Sequence, residues 1–206
     1  MASIKPIRDP KKDHLLTPEN CAIVIIDYQP TQIHSVNSIN TSKLIKNICL
    51  VAKAGHAYNI PIILSTVNVA TTRNQETIPP LKEILKDEIS YDRTSINAWE
   101  DKEFVEAIKK TKKKKLIMCA LWTEACLAFP TLDALQEGYE VYPVVDAIGG
   151  TSKLAHQTAL ERVQQAGAQL ITIPQMICEL QRDWNRNETV DEFLSLMFED
   201  GAFVGL

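Results

Sequence analysis

Two side chains of this sequence are placed where they could act as a nucleophile and its base. Cys126 lies in the segment LWTEACLAFP, residues 121–130, where a buried strand is expected to turn directly into a helix. The N–H groups and the dipole of a helix start stabilise an anion, so a thiol there can have a pKa below its ordinary value. Asp27 closes a six-residue apolar run and must be either solvated in a crevice or paired. The pattern predicts a thiol nucleophile at Cys126 and a proton acceptor at Asp27.

A cysteine that attacks a carbonyl also needs donors for the oxyanion it creates. The tight turn before Cys126 exposes backbone N–H groups, and those of Trp122 and Cys126 are the candidates. Thr123 is a preferred N-cap residue type and is predicted to begin the helix, which places Cys126 near its third position. The alternative is an inert thiol, because cysteine is among the residue types most often buried and the residues after Cys126 are apolar.

Strand-like and helix-like segments alternate along the chain and must position these residues. Continuous β-branched apolar runs predict buried parallel strands, and apolar residues at helical spacing predict amphipathic helices. The predicted strands are 21–27, 61–65, 115–121, 139–145 and 168–173, and the predicted helices are 41–58, 101–110, 124–137, 152–166 and 190–197. The sequence therefore predicts an α/β fold, a three-layer α/β/α sandwich with a mostly parallel, Rossmann-like central sheet, in one domain over residues 1–206.

The ends of the predicted strands locate the site. In open parallel sheets, ligands bind beyond the carboxyl ends of the strands. The polar residues at those ends are Asp27, Ser65, Thr66, Asn68, Trp122, Thr123 and Asp146. Neither a GxGxxG motif nor a phosphate-binding GxxxxGK motif occurs, so we predict no dinucleotide and no other cofactor.

Composition and charge exclude several classes of partner. The 206 residues carry a net charge of −4, and the one basic run, 112–115, is interpreted as a solvated loop. The first residues contain no apolar signal-peptide core, and no apolar run approaches the ~20 residues of a membrane helix. Five scattered cysteines without a CxxC pair indicate reduced thiols. We therefore predict a cytoplasmic protein with no nucleic-acid partner and no membrane partner.

Several separated motifs resemble one enzyme family and occur in its expected order. They are IVIIDYQ, RTSINAWED, LWTEACLAFPTLDALQEGYEV, VVDAIGG and GAQLITIPQMICELQRDW. They are similar to motifs of the isochorismatase-like cysteine hydrolases, in particular of the YcaC-type branch, and the resemblance covers roughly residues 18–186. The resemblance implies hydrolysis of an amide or related C–N bond of a small molecule through an acyl-thioester intermediate. It also implies a homo-oligomer, and members of that branch often form octamers.

The resemblance implies a catalytic triad of Asp, Lys and Cys. The Asp corresponds to Asp27, in a D-x-Q pattern with Gln29, and the Cys corresponds to Cys126, in a T-E-x-C pattern. The cation in the place of the Lys is Arg93, within RTSINAWED. Arg93 can offset negative charge at the site, but it cannot cycle a proton because its pKa stays above about 12. A structural ion pair of Arg93 with Asp92 or Asp27 is the alternative.

Further residues are assigned to the site through the same resemblance. Family members commonly have a non-proline cis peptide bond shortly before the catalytic Cys, which by position is Leu121–Trp122 here. Trp122, Gln29 and Asn97 are expected to hold the oxyanion or the substrate, and packing or an interface is the alternative for Trp122 and Asn97.

The resemblance also bears on metal binding. Nicotinamidases of the same superfamily hold a metal through an Asp and two His after the second strand. The corresponding segment here, STVNVATTRNQET, contains neither residue type, so we predict no metal and no nicotinamidase activity. Two other interpretations stay open: a family member that has lost catalysis, and a redox sensor that uses a low-pKa Cys126 thiol without hydrolysis.

Overall fold

Five parallel strands form the centre of the molecule in the computed structural model, which describes residues 5–205. The strands are β1 (Cys21–Ile26), β2 (Ile62–Val67), β3 (Ser90–Arg93), β4 (Lys115–Ala120) and β5 (Glu140–Pro143). They lie in the order β3-β2-β1-β4-β5, so β1 is central. Because every neighbouring pair is parallel, the carboxyl ends of all five strands lie at the same edge of the sheet.

Helices flank this sheet and complete the predicted three-layer sandwich. They are α1 (Pro30–Ser35), α2 (Thr41–Ala57), α3 (Pro79–Ile84), α4 (Lys102–Thr111), α5 (Ala128–Gln136), α6 (Lys153–Gln165), α7 (Ile173–Gln181) and α8 (Val190–Asp200). A 3-10 turn covers Ala98–Glu100, and a π-type turn, Thr123–Leu127, leads from β4 into α5. Within residues 5–205, no helix has the length and apolar character that a membrane span requires. The predicted fold class is confirmed, with a sheet that is entirely parallel.

The apolar runs of the sequence occupy the middle of the sheet, and a polar strand lies at its edge. Both β1 and β4 are buried at every position, which is why their sequences are continuous apolar runs. Sequence reasoning missed β3, whose residues are SYDR, because an edge strand with exposed side chains lacks that pattern. Only Arg93, the last residue of β3, is buried.

The predicted strand 168–173 is wrong. In the structure this segment runs beside the end of β5 with three backbone hydrogen bonds, but it forms one isolated bridge, between Ile171 and Val144, and no strand. Helix α7 already begins at Ile173. Pro174 lies in the first turn of α7, where proline favours the start of a helix and provides no N–H for a strand ladder.

One residue of the basic run 112–115 belongs to the core. Lys115 is the first residue of β4 and is only 3% exposed. Its Nζ donates to Glu140 Oε2 at 2.7 Å and to the hydroxyl of Tyr142 at 2.9 Å. Burial would lower the pKa of Lys115, but these two partners raise it above its ordinary value. The predicted solvated loop is therefore wrong for Lys115, because the run overlaps a central strand.

Candidate active site

Asp27 directly follows β1, at the centre of the carboxyl edge of the sheet. Its side chain is fully buried. Its φ is 63°, a left-handed conformation that non-glycine residues adopt rarely and that is concentrated at functional sites. The Asp27 N–H donates to the carbonyl of Ser65 at 3.0 Å, and its carbonyl accepts from the N–H of Gln29 at 2.8 Å. The central strand therefore ends in a strained residue whose backbone is held on both sides.

Arg93 ends β3, two strands away, and its guanidinium reaches Asp27. Nη1 donates to Oδ1 and Nη2 donates to Oδ2, each at 2.7 Å, and the two side chains are 1% and 0% exposed. Nη1 also donates to Ser65 Oγ and the Thr66 carbonyl, each at 3.0 Å, and Nη2 donates to the Ile96 carbonyl at 3.1 Å. Such a two-point pair fixes the carboxylate in position as well as neutralising it.

The guanidinium of Arg93 stays charged in this environment. Burial would lower the pKa of Arg93, but the hydrogen bonds and charge of Asp27 raise it above its ordinary value, with a smaller contribution from Cys126. Asp92, the other suggested partner, instead accepts from two backbone N–H groups of the loop after β2, at 3.0 and 2.9 Å. Arg93 is therefore a permanent positive charge beside Asp27.

Cys126 is the fourth residue of the π-type turn that leads into α5. The Leu121–Trp122 peptide bond just before the turn is cis, at the position that the family resemblance implies. Thr123 does not cap the turn, because Trp122 occupies the N-cap position and makes no side-chain capping bond. The Thr123 hydroxyl instead lies 2.8 Å from Nδ1 of His156, in α6. The predicted cap at Thr123 is wrong, because the Thr123 hydroxyl forms its hydrogen bond with a histidine of another helix.

The surroundings of Cys126 raise the pKa of its thiol. Burial is the largest cause, and the negative charge of the nearby Asp27 carboxylate acts in the same direction. The charge of Arg93 and the backbone N–H of Trp122 lower the pKa by smaller amounts. The predicted low pKa is therefore wrong, because desolvation and a nearby carboxylate outweigh the start of the helix. At neutral pH the thiol is protonated, and the nearby Asp27 carboxylate is a group that can take its proton.

We expect the reaction of Cys126 with methyl methanethiosulfonate to accelerate steadily from about pH 7 to about pH 9, because the thiolate fraction rises about tenfold per pH unit below the pKa. Asp27→Asn is expected to speed this reaction at neutral pH, since it removes a charge that raises the thiol pKa. Peptide mass spectrometry would measure both rates, with the exposed Cys178 as an internal control. A rate for Cys126 that levels off below about pH 7 would reveal a resting thiolate and contradict the structure.

Gln29, expected to bind the oxyanion or the substrate, is tied to the protein backbone instead. Its side chain is fully buried. Nε2 donates to the carbonyls of Val67 and Gln75, at 3.0 and 2.6 Å, and Oε1 accepts from the Val67 N–H at 2.9 Å. Gln29 therefore joins the end of β2 to the loop that follows it, and a substrate contact is not supported.

Gln29→Leu is expected to destabilise the fold by about 2–4 kcal/mol, because it leaves three part-buried backbone groups without partners. Urea denaturation would measure the loss. Gln175→Leu, at an exposed position of α7, is the matched control and is expected to change the free energy of unfolding by less than about 0.5 kcal/mol. Equal stabilities for the two variants would show that Gln29 does not hold the loop.

Asn97 and the indole of Trp122 are also occupied by the protein. Asn97 Oδ1 accepts from the Trp99 N–H at 3.1 Å, and its Nδ2 donates to Asp133 Oδ2 at 2.7 Å. The expected oxyanion role of the Asn97 side chain is therefore not supported. Trp122 Nε1 donates to Ser35 Oγ at 2.8 Å, which holds the indole against α1. The backbone N–H of Trp122, by contrast, lies close enough to the thiol to lower its pKa.

Two groups at the site were not predicted, because no motif or strand end in the sequence marks them. The carbonyl of Ile96 binds Arg93, and His156 binds the turn that carries the thiol. Of the other polar residues that end strands, Ser65 orients Arg93, whereas Asp146 accepts from the Ile173 N–H at 3.1 Å and so belongs to the start of α7. Among residues 5–205, no group of three or more His, Cys, Asp or Glu side chains could hold a metal ion.

Comparison with known proteins agrees with the motifs. The family described as the isochorismatase domain matches residues 21–175. The Escherichia coli protein named "Probable hydrolase YcaC" is 37% identical over 186 residues, which is 90% of this chain and 88% of that protein.

Two solved structures share the fold over nearly the whole chain. The crystal structure of the Escherichia coli YcaC gene product, an octameric hydrolase of unknown specificity, superposes with a TM-score of 0.81 and 33% identity, covering 94% of this chain and 100% of that one. YcaC from Pseudomonas aeruginosa, solved with hexane-2,5-diol and covalent acrylamide, superposes with a TM-score of 0.80 and 32% identity, covering 91% and 98% of the two chains.

Proposed function

The chain belongs to the isochorismatase family of hydrolases, and on that premise we propose that it is a cysteine-dependent hydrolase of a small molecule. The bond it cleaves is an amide or a related C–N bond, and the reaction passes through an acyl-thioester at Cys126. One observation carries the proposal. A buried thiol lies close enough to the Asp27 carboxylate for that charge to raise the thiol pKa, and Arg93 holds the carboxylate with two hydrogen bonds.

The first step joins the sulfur to the substrate. Sγ of Cys126 attacks the carbonyl carbon while its proton passes to Asp27. Both Asp27 oxygens already accept from Arg93, but each carboxylate oxygen can accept a second bond. The C=O electron pair moves onto oxygen, and the backbone N–H groups of Trp122 and Cys126 hold the oxyanion. Removal of one such donor typically raises the barrier by about 3–4 kcal/mol.

Two further steps release first the amine and then the carboxylic acid. The carbonyl re-forms, the C–N bond breaks, and Asp27 returns its proton to the leaving nitrogen. Water then attacks the acyl-thioester and gives a proton to Asp27, the C–S bond breaks, and the sulfur recovers a proton from Asp27 as the acid departs. Asp27 thus moves every proton, first as a base and then as an acid.

Arg93 takes no part in the proton transfers. Its charge offsets the negative charge that Asp27 and the forming thiolate bring into a buried site. Because its pKa is raised, it remains protonated throughout, so a relay through a lysine-type amine has no counterpart in this mechanism.

A redox-sensor function loses its main support. Sensor thiols are exposed and have a low pKa, whereas Cys126 is 7% exposed and its pKa is raised. A family member without catalysis remains the alternative, and the absence of turnover on every substrate would favour it.

We further propose a homo-oligomer, by analogy with the octameric YcaC hydrolase of Escherichia coli. The proposed enzyme is a single domain over residues 1–206 that acts without a metal or cofactor and has no nucleic-acid partner. Its cytoplasmic location stays a prediction.

The proposed reaction can be tested with a panel of small primary amides, anilides and activated esters. We expect release of the carboxylic acid, followed by NMR, from at least one amide, and a lower rate when the carbonyl carbon is more hindered. Turnover of no panel member across the range from about pH 6 to about pH 9 would overturn the proposal.

A further inference from the structure

The π-type turn that carries Cys126 is attached to the segment before α6 by several hydrogen bonds. The Thr123 N–H donates to the carbonyl of Gly149 at 2.9 Å. The Glu124 carboxylate accepts from the N–H and from the hydroxyl of Thr151, at 2.9 and 2.6 Å. Residues 149–151, which precede α6, therefore hold the turn in addition to α5, into which the turn leads.

A close approach at Gly150 makes this attachment possible. A Cβ atom at Gly150 would lie 2.4 Å from Oε2 of Glu124 and 3.2 Å from the Cα atom of His156. The first distance is shorter than real Cβ contacts and the second is tight, so a side chain at Gly150 would displace the Glu124 carboxylate from its place beside the turn.

The contact between Thr123 and His156 completes the attachment. The Thr123 side chain is fully buried, and its Oγ1 lies 2.8 Å from Nδ1 of His156. Burial lowers the pKa of His156, with Glu124 opposing that shift, so the imidazole is neutral at neutral pH and can accept the Thr123 hydroxyl at one nitrogen. Thr123 directly follows Trp122, whose backbone N–H lowers the pKa of the Cys126 thiol.

We propose that His156 is a positioning residue for the nucleophile: through the Thr123 hydroxyl it fixes the turn that presents the Trp122 N–H and the Cys126 thiol. This inference rests on the proposed hydrolase function. His156 makes no hydrogen bond to Cys126 or Asp27, and it is assigned no proton transfer. The expected effect follows from geometry, because a displacement of about 1 Å at a reacting group can cost on the order of 100-fold in rate.

The test is a double-mutant cycle on the hydrolysis rate. Thr123→Val and His156→Leu remove the contact, whereas Thr123→Ser and His156→Asn keep a hydroxyl and an acceptor in place. We expect kcat to fall about tenfold in each of the first two variants with KM unchanged, no further loss when they are combined, and recovery in the two conservative variants. Additive losses, or a His156→Leu enzyme with the kcat of the wild type, would overturn the inference.

A second readout is independent of any substrate. The rate at which methyl methanethiosulfonate labels Cys126, relative to the exposed Cys178, is expected to fall severalfold in Thr123→Val and His156→Leu, because the N–H that lowers the thiol pKa moves away. This ratio tests the positioning role even if the wild type hydrolyses nothing. An unchanged ratio in variants whose thermal unfolding is also unchanged would overturn it.

Discussion

Cys126→Ala is expected to lower hydrolysis by at least about 10⁴-fold, leaving only the residual acceleration that substrate binding and the oxyanion donors supply. The alanine removes the atom that bonds to the substrate, so no acyl-thioester can form. The protein is expected to remain folded, because Asp27 and Arg93 stay paired when the thiol is lost. Steady-state kinetics on the best amide of the panel would measure the effect.

Cys119→Ala is the matched control for that variant. Cys119 is a fully buried thiol in β4, and burial raises its pKa, but it does not adjoin Asp27. We expect a small loss of stability and activity close to that of the wild type. If Cys126→Ala kept more than a few per cent of the wild-type rate, the sulfur would not be the nucleophile.

Arg93→Leu is expected to destabilise the protein by about 3–5 kcal/mol, because it leaves the Asp27 carboxylate buried without its counterion. The same change removes the donors to Ser65 and to the carbonyls of Thr66 and Ile96. Urea denaturation at neutral pH would measure the loss, and hydrolysis is expected to disappear as well.

Two further variants separate the ion pair from packing. Asp27→Leu combined with Arg93→Leu removes both charges and is expected to recover much of the stability lost in the single variant. Lys53→Met, which breaks the exposed ion pair with Glu199, is expected to cost no more than about 1 kcal/mol. An Arg93→Leu protein as stable as Lys53→Met would show that Asp27 does not depend on the guanidinium.

The residues that could be predicted are those whose role follows from local pattern. Asp27 closes a continuous apolar run that predicts a buried strand, and a carboxylate in that position must be either solvated in a crevice or paired. Cys126 follows the last strand residue closely enough that a tight turn was the expected connection. The parallel order of the strands then placed both side chains at one edge of the sheet.

Other features could not be predicted, because they depend on contacts between residues that are far apart in the sequence. β3 is polar because it lies at the edge of the sheet, so the strand that carries Arg93 was not predicted. The pKa of Cys126 is set by burial and by the charge of Asp27, which outweigh the local effect of the helix start. The amide of Gln29 meets backbone groups of a distant loop, and its sequence position alone suggested a substrate contact.

The central claim, an acyl-thioester on Cys126, is tested most directly by partitioning between water and hydroxylamine. An amide, an anilide and an ester that share one acyl group would be hydrolysed in the presence of hydroxylamine, and the ratio of hydroxamate to acid measured for each. If all three form the same acyl-thioester, the ratio is identical whatever the leaving group. A ratio that changes with the leaving group would mean that no common covalent intermediate forms, and would contradict the mechanism.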